Sequence, residues 1–392
     1  MIVNASEILL PQKNGRGVER LQNAVVYVEN GRIAFVGPKS GLPPAAKGAP
    51  SVDAQNGAVL PALVDAHTHL VFAGDRLEDF TARSAGTTYA EIAARGGGIL
   101  TTVTATRAAK KEQLLGLTRA RLEQKKRYGI GTVEVKSGYG LTVDDELKML
   151  EVVAALKTEG YDLEGTLLAA HAIPKDQPRA EYIASIVERM IPAVAERGLA
   201  RFVDVFVETH AYTLDEARLI FAAAAKHGLI PRLHADQLSA GGGAGLAAEV
   251  KAASADHLEH TSDADLAKMA AAGVVAMLLP SAMSFLGDSA KGLGNRLRTA
   301  GVEVAVATDT NPGSSPSANL GLAATLAVTT MGLTVDEALR AITLGGAHAL
   351  RRDDVGHLEV GAKARFAILN QKDARALVYA YGEPVVDRLV EI

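Results

Sequence analysis

The chain contains no cysteine. Disulfides and thiolate metal ligands are therefore excluded, and any metal must be held by His, Asp, Glu or a lysine-derived group. Charge of one sign is also missing. The 41 Lys and Arg and 45 Asp and Glu leave a net charge of −4 with no basic block, so no nucleic-acid partner is expected. No apolar run reaches the roughly 18 residues that a membrane span requires. The opening Met1-Ile2-Val3-Asn4-Ala5-Ser6-Glu7 lacks the basic and apolar segments of a secretory signal. A soluble, cytoplasmic protein is the expectation. No Gly-x-Gly-x-x-Gly follows the first long apolar run, which weakens a Rossmann reading. The glycine triplets at 96–98 and 241–243 lack a phosphate-loop lysine and read as loop backbone near a site.

What is present is length and alternation. At 392 residues, 48% apolar and 22% charged, the chain can bury a large core. Short apolar runs occupy 58–64, 132–135, 166–170, 202–207, 230–233, 253–258, 274–279 and 302–307. Helical periodicity fills most intervals, as at 112–128, 144–157, 180–197, 214–227 and 264–272. Strand-helix alternation predicts a parallel sheet, and eight repeats predict a closed α/β barrel of the (β/α)8, TIM-like kind. Two further helical stretches follow at 317–331 and 335–350, the second opened by the capping box Thr334-Val335-Asp336-Glu337.

Both ends of the chain read as β. Two β-prone runs, 24–28 and 32–36, flank Glu29-Asn30-Gly31, a strong hairpin signal. Residues 38–57 read as a linker, and β pattern returns at 356–369 and 384–392. The economical division is a small β-sandwich domain formed by 1–57 and 356–392, beside a barrel at 58–355.

In such a barrel, chemistry comes from the carboxyl ends of the strands. Strand one ends in Asp65-Ala66-His67-Thr68-His69. Side chains alternate along a strand, so His67 and His69 face the same way. The other strands end in Lys136, His171, Glu208, His234-Ala235-Asp236-Gln237, His257 with His260 beyond it, Pro280-Ser281, and Thr308-Asp309-Thr310-Asn311. Six of the ten histidines thus fall at strand ends. A lone His-x-His is a weak motif. Joined by His234, His257 and Asp309 on other strands, it becomes a constellation. His67, His69, His234 and Asp309 suit one divalent ion per subunit, zinc ahead of iron, with water in an open position activated to hydroxide. His257 is placed to bind that water or a developing oxyanion. Lys136 and Glu208 read equally well as site residues or rim ion pairs. Asp65 either supports His67 or only shapes the strand end. His260 reads as a supporting residue, and His210, His227, His348 and His357 as structural or surface groups.

These residues resemble the amidohydrolase superfamily. Over nearly the whole chain the similarity is to its imidazolonepropionase family. The matching stretches are Asp65 to Arg76, Glu134-Val135-Lys136-Ser137-Gly138-Tyr139-Gly140-Leu141, Leu233 to Leu238, Ser254 to Glu259, and Ala307 to Ser315. The resemblance implies a hydrolase that opens the ring amide of 4-imidazolone-5-propanoate in histidine degradation, giving N-formimidoyl-L-glutamate. It implies that the substrate is held by Arg76, Tyr139, His171, Gln237, Asn311, Gly313 and Ser314. Arg76 suits the propionate as a bidentate partner. Asp309 and His257 are the implied catalytic pair, Asp309 taking the proton and His257 stabilising the oxyanion. Related deaminases place a glutamate where this chain has Gln237, and Gln cannot shuttle protons. Two-metal relatives carry a bridging lysine where strand four ends in Glu208, so one metal is expected. The segment 280–285 reads as a loop, less aromatic than the resemblance suggests. The alternatives are another cyclic-amide hydrolase or deaminase on the same barrel, and a catalytically silent binding protein. The expected partner is the small-molecule substrate, and the expected assembly a homodimer.

Overall fold

The computed structural model describes residues 1–87, 91 and 95–392. The amino-terminal segment forms β1 (Ile2–Val3), β2 (Ile8–Pro11), β3 (Val18–Leu21), β4 (Ala24–Glu29), β5 (Arg32–Pro38) and β6 (Val52–Asp53). β4 and β5 form the expected hairpin, with Tyr27 opposite Phe35. Asn30 and Gly31 both take positive φ, 52° and 73°, as a primed two-residue turn requires. The stretch expected to be a plain linker contributes β6, which pairs in parallel with β1.

The apolar run at 58–64 is two strands rather than one. β7 (Val59–Pro61) pairs with β2 and with a carboxy-terminal strand, whereas β8 (Leu63–Asp65) opens the barrel. Pro61 has no amide hydrogen to donate, so the chain changes sheets there. The barrel continues with β9 (Ile130–Lys136), β10 (Asp162–Ala170), β11 (Phe202–Val207), β12 (Ile230–Ala235), β13 (Ser254–His257), β14 (Val275–Leu278) and β15 (Val304–Val306). All eight lie side by side in chain order and pair in parallel. Closure comes beyond the strands themselves. Asp309 N donates to His67 O at 3.1 Å, and His69 N to Thr310 O at 2.9 Å. The barrel is therefore sewn shut by the residues that carry its chemistry.

Helices such as Lys111–Arg127, Val143–Thr158 and Leu214–Lys226 cover the barrel. The capping box at Thr334 and Glu337 forms as read. The helical stretches at 180–197 and 335–350 each contain a wider turn, at Ile186–Met190 and Ala341–Gly345. Residues 280–285, read as a loop, belong to the helix Pro280–Leu286, which Pro280 begins without losing a hydrogen bond.

Of the β pattern at 356–369, only β16 (Arg365–Leu369) is a strand; the tail supplies β17 (Val386–Glu391). The terminal strands build a four-stranded sheet, β5-β4-β1-β6, and a five-stranded sheet, β17-β16-β7-β2-β3, which joins both ends of the chain. Ile2, Ile8, Val26, Ile33, Phe366 and Ile368 form their shared core.

A charge cluster ties this small sandwich to the barrel. Asp162, at the start of β10, accepts from Arg365 at 2.8 Å and from Arg352 at 3.2 Å, with Lys363 at 3.4 Å. Burial opposes the charge on Asp162, but these cations outweigh it and hold the carboxyl below its ordinary value. A carboxyl depressed by folding stabilises the native state above its unfolded pKa, about 4, and that stability is lost as pH falls through the folded value. Asp162→Asn is expected to lower the unfolding free energy by about 1–3 kcal/mol at pH 7 in urea titrations, with activity retained. The difference from the parent protein should shrink as pH falls below about 4.

Candidate metal centre

Beyond β8 the chain runs on, extended, through His67 and His69. Their Nε2 atoms lie 3.6 Å and 3.4 Å from Asp309 Oδ1. The His234 ring, on β12, is 4.7 Å from that of His67 and 5.6 Å from that of His69. Donor atoms of His67, His69 and His234 lie within 4.8 Å of one another, as do those of His67, His257 and Asp309. All five side chains are buried. His67 Nε2 and Asp309 Oδ1 have no hydrogen-bond partner in the protein. Leaving buried polar atoms unpaired costs about 1–3 kcal/mol each. Ligands about 2.0–2.2 Å from one tetrahedral ion stand roughly 3.3–3.6 Å apart. The residues present fit a divalent cation.

The far side is fixed for two of the three imidazoles. His67 Nδ1 meets Asp256 Oδ2 at 2.6 Å, and His234 Nδ1 meets Asp204 Oδ1 at 3.0 Å. A carboxylate only accepts, so the ring proton sits on Nδ1 and the Nε2 lone pair faces the site. Burial pushes His67 well below its ordinary pKa, with Lys136 and the other imidazoles adding to the effect. Burial also lowers His234, against the pull of Asp204. Neutral imidazoles are the ligand form.

These carboxylates belong to a charge network that the strand-end reading misses. Lys136 Nζ donates to Asp204 at 2.8 Å and Glu134 at 2.9 Å, and Arg232 donates to Asp256 at 3.3 Å and Ala66 O at 2.7 Å. Burial works against the charge on Asp204, but His234 and Lys136 hold its carboxyl far below the usual range. Lys136 is thus a fully buried support rather than a rim residue. Asp65 does not support His67. It pairs with Lys125 at 2.5 Å and accepts from Thr308 N at 3.0 Å. Asp65, Glu134, Asp204, Asp256 and Asp309 are buried in this interior with Lys125, Lys136 and Arg232, and Glu259 is buried against His257. Carboxylates outnumber the fixed cations, an imbalance that favours a bound cation. A signal was available: Glu134 and Arg232 stand two residues before Lys136 and His234, on the same inward face.

His257 ends β13 with φ +82°, and Asp309 has φ +50°. Non-glycine residues held there are strained by roughly 1–3 kcal/mol, a strain that concentrates at functional sites. The His257 ring is 5.4 Å from that of His234, and its Nδ1 is 3.7 Å from Glu259. Burial opposes its charge, but Glu259, Asp309 and Asp256 together raise its pKa. Glu208 is no rim ion pair either. Its carboxylate accepts from Thr209 N at 3.0 Å, from Leu238 N at 2.9 Å and from the Ser239 hydroxyl, holding the loop after β12. His260 is exposed and pairs with Asp288 at 3.6 Å, so it does not support the site. His348 bonds Glu303, and His357 bonds the Asp353 carbonyl, both as structural groups.

Of the other expected residues, Tyr139 and His171 lie against the histidine cluster. The His171 ring stacks on His69 at 5.1 Å and lies 5.4 Å from the Tyr139 ring. His171 Nδ1 donates to Gly138 O at 3.1 Å, which leaves Nε2 free. Burial pushes the Tyr139 phenol well up, so it remains a proton donor. Gln237 is half-buried on the loop after β12. Arg76 lines a pocket of about 390 Å³ with Phe72, Phe80, Phe285 and Asn311. Its guanidinium pairs with Asp79 and packs on Gly313, where a Cβ would come within 3.1 Å of Nη1. Phe285 stacks on Phe80 at 5.1 Å, so an aromatic wall forms with one ring from outside 280–285. The Asn311 amide is engaged within its own loop. Nδ2 donates to Asp309 O at 2.7 Å and Ser314 Oγ at 2.9 Å, while Oδ1 accepts from the Gly313 and Ser314 amides.

Replacing Asp204 by Asn leaves one acceptor oxygen where His234 Nδ1 and Lys136 Nζ each use one, and turns an NH2 toward one of these donors. Metal affinity is expected to fall about 10- to 100-fold, measured by competition with a chelator of known affinity.

A model of the amidohydrolase family matches residues 58–388. An imidazolonepropionase of Myxococcus xanthus (strain DK1622) is 46% identical, covering 97% of this chain and 93% of its own. An imidazolonepropionase of Stenotrophomonas maltophilia (strain R551-3) is 44% identical, covering 98% and 95%. Among solved structures, a 5-methylcytosine deaminase from Klebsiella pneumoniae superposes with a TM-score of 0.75 at 17% identity, covering 100% of this chain and 96% of its own. An adenosine deaminase from Xanthomonas campestris with bound zinc gives 0.73 at 18% identity, covering 99% and 90%. These two share the fold. Barrel, site geometry and near-full-length similarity agree: the chain belongs to the amidohydrolase family and, within it, to the imidazolonepropionases.

Proposed function

We infer that this protein hydrolyses the ring amide of 4-imidazolone-5-propanoate to N-formimidoyl-L-glutamate. The observation that carries the reading is a metal-type cluster of His67, His69, His234 and Asp309 in a chain 46% identical to an imidazolonepropionase. In this reading those four residues hold one divalent ion, zinc ahead of iron on the strength of three imidazoles and one carboxylate. Such an ion supplies Lewis acidity, polarising an amide carbonyl and making water acidic near neutrality.

The remaining steps belong to the side chains. Arg76 takes the propionate through its guanidinium. Tyr139 and His171 offer a phenol and a free imidazole nitrogen to the polar ring edge, with Gln237, Gly313 and Ser314 completing the cradle. Asn311 acts chiefly by shaping the loop on which Gly313 and Ser314 sit. Water adds to the ring carbonyl carbon, and Asp309 accepts its proton. His257 donates to the oxygen as it gains charge. The ring C–N bond breaks, and the proton held on Asp309 passes to the departing nitrogen. Gln237 argues against a deaminase, because an amide cannot carry a proton to leaving ammonia.

Arg76→Lys is expected to raise KM about tenfold or more with little change in kcat, because an ammonium cannot grip a carboxylate bidentately. His257→Asn is expected to lower kcat by about a hundredfold or more at unchanged metal content. Dialysis against a chelator should abolish turnover, and added zinc or iron(II) should restore it. Turnover of purines or pterins, with none of imidazolone propanoate, would reject the assignment.

A further inference from the structure

The loop that presents Tyr139 has its own fastening, and none of the site residues above accounts for it. Glu146, on the first turns of the helix Val143–Thr158, is completely buried. Its Oε2 accepts from Gly138 N at 2.9 Å, and its Oε1 accepts from both Gly140 N and Leu141 N at 2.8 Å. The carbonyls of the same loop face the other way. Gly140 O accepts from Arg107 Nε at 2.6 Å, and Leu141 O from Arg107 Nη2 at 3.1 Å. One carboxylate therefore gathers the amides on either side of Tyr139, and one guanidinium gathers the carbonyls. We propose that Glu146 and Arg107 are positioning residues, a clamp on the 138–141 backbone that sets Tyr139 and, through the Gly138 carbonyl, His171 against the substrate.

The geometry leaves little slack. Gly138 has φ +107°, a conformation that side-chain-bearing residues avoid. A Cβ there would lie 2.9 Å from both His171 Nδ1 and Leu168 O. At Gly140, a Cβ would lie 2.5 Å from Glu146 N. Both glycines let the loop fold tightly onto the start of the helix, where Glu146 can reach three amides at once. Charge-assisted bonds of this kind are about twice as strong as neutral ones. The Gly138 carbonyl, aimed by the clamp, accepts a hydrogen bond from His171 Nδ1–H and so leaves His171 Nε2 as an acceptor. Displacing the backbone by about 1 Å therefore disturbs two substrate contacts together. None of the metal ligands bonds to Glu146 or Arg107.

The proposal rests on the reading that Tyr139 and His171 contact substrate, and the tests separate the two. Steady-state kinetics with imidazolone propanoate and metal analysis are applied to Tyr139→Phe, Glu146→Gln and Arg107→Gln. Glu146→Gln turns an amide NH2 toward backbone N–H groups and breaks at least one of the three bonds. The expected result is a KM raised about tenfold or more in Glu146→Gln and less in Arg107→Gln, with kcat within about threefold and full metal content. If Tyr139→Phe raises KM while both clamp variants bind substrate normally, the clamp proposal fails. If Tyr139→Phe leaves KM unchanged, the substrate reading fails instead. Arg107 is half-buried rather than buried, so its variant should fold even if Glu146→Gln does not. The unaltered protein offers a further check. Hydrogen exchange should show the Gly138, Gly140 and Leu141 amides protected although they lie outside helix and strand, and exchange at open-loop rates would overturn the clamp.

Discussion

The structure depends most on a charge balance inside the barrel. Glu134, Lys136, Asp204, Arg232 and Asp256 are each fully buried. Charges removed from water cost several kcal/mol apiece unless paired, and pairing seldom returns a surplus. Hydrophobic side chains would fill the same layer at lower cost. What the network provides is orientation: Asp256 and Asp204 hold the Nδ1 atoms of His67 and His234, while Arg232 and Lys136 hold the carboxylates. The interior keeps more carboxylates than fixed cations when Asp65, Lys125 and Asp309 are included. A divalent cation eases that imbalance, so metal binding and stability of the barrel core are coupled.

The same region closes the fold. The bonds from Asp309 N to His67 O and from His69 N to Thr310 O join the first strand to the last. Three metal-type ligands, His67 and His69 from one end of the barrel sequence and Asp309 from the other, are thereby placed by main-chain bonds rather than by side-chain rotamers alone. The left-handed backbone at His257 and Asp309 is the local cost of turning those side chains inward. The small sandwich is bound at the opposite, amino-terminal end of the strands through Asp162, Arg352 and Arg365. Stability and chemistry thus occupy opposite faces of one barrel, as the (β/α)8 architecture generally arranges them.

Much of this was legible in the order of residues. Eight apolar runs separated by helical periods sufficed for a parallel barrel, because the two periods differ and the alternation admits few topologies. The hairpin at Asn30-Gly31 and the helix start at Thr334 were legible because local backbone chemistry decides them. The strand-end positions of His67, His69, His234, His257 and Asp309 followed from strand period and barrel polarity. The run at 58–64 reads as one strand, because an apolar stretch looks alike whether it serves one sheet or two. Residues 280–285 read as loop, since so short a segment cannot show a helical period.

Fold class and the ligand types at the strand ends are written into the chain, since periodicity and residue chemistry are its own properties. Which carboxylate supports which imidazole is settled by folding. Asp65, beside His67 in sequence, turned out to serve Lys125 and Thr308, while Asp256, 189 residues away, holds His67. Barrel closure sets such pairings, because inward-facing side chains from different strands share one layer. No local pattern along the chain records which of them will touch.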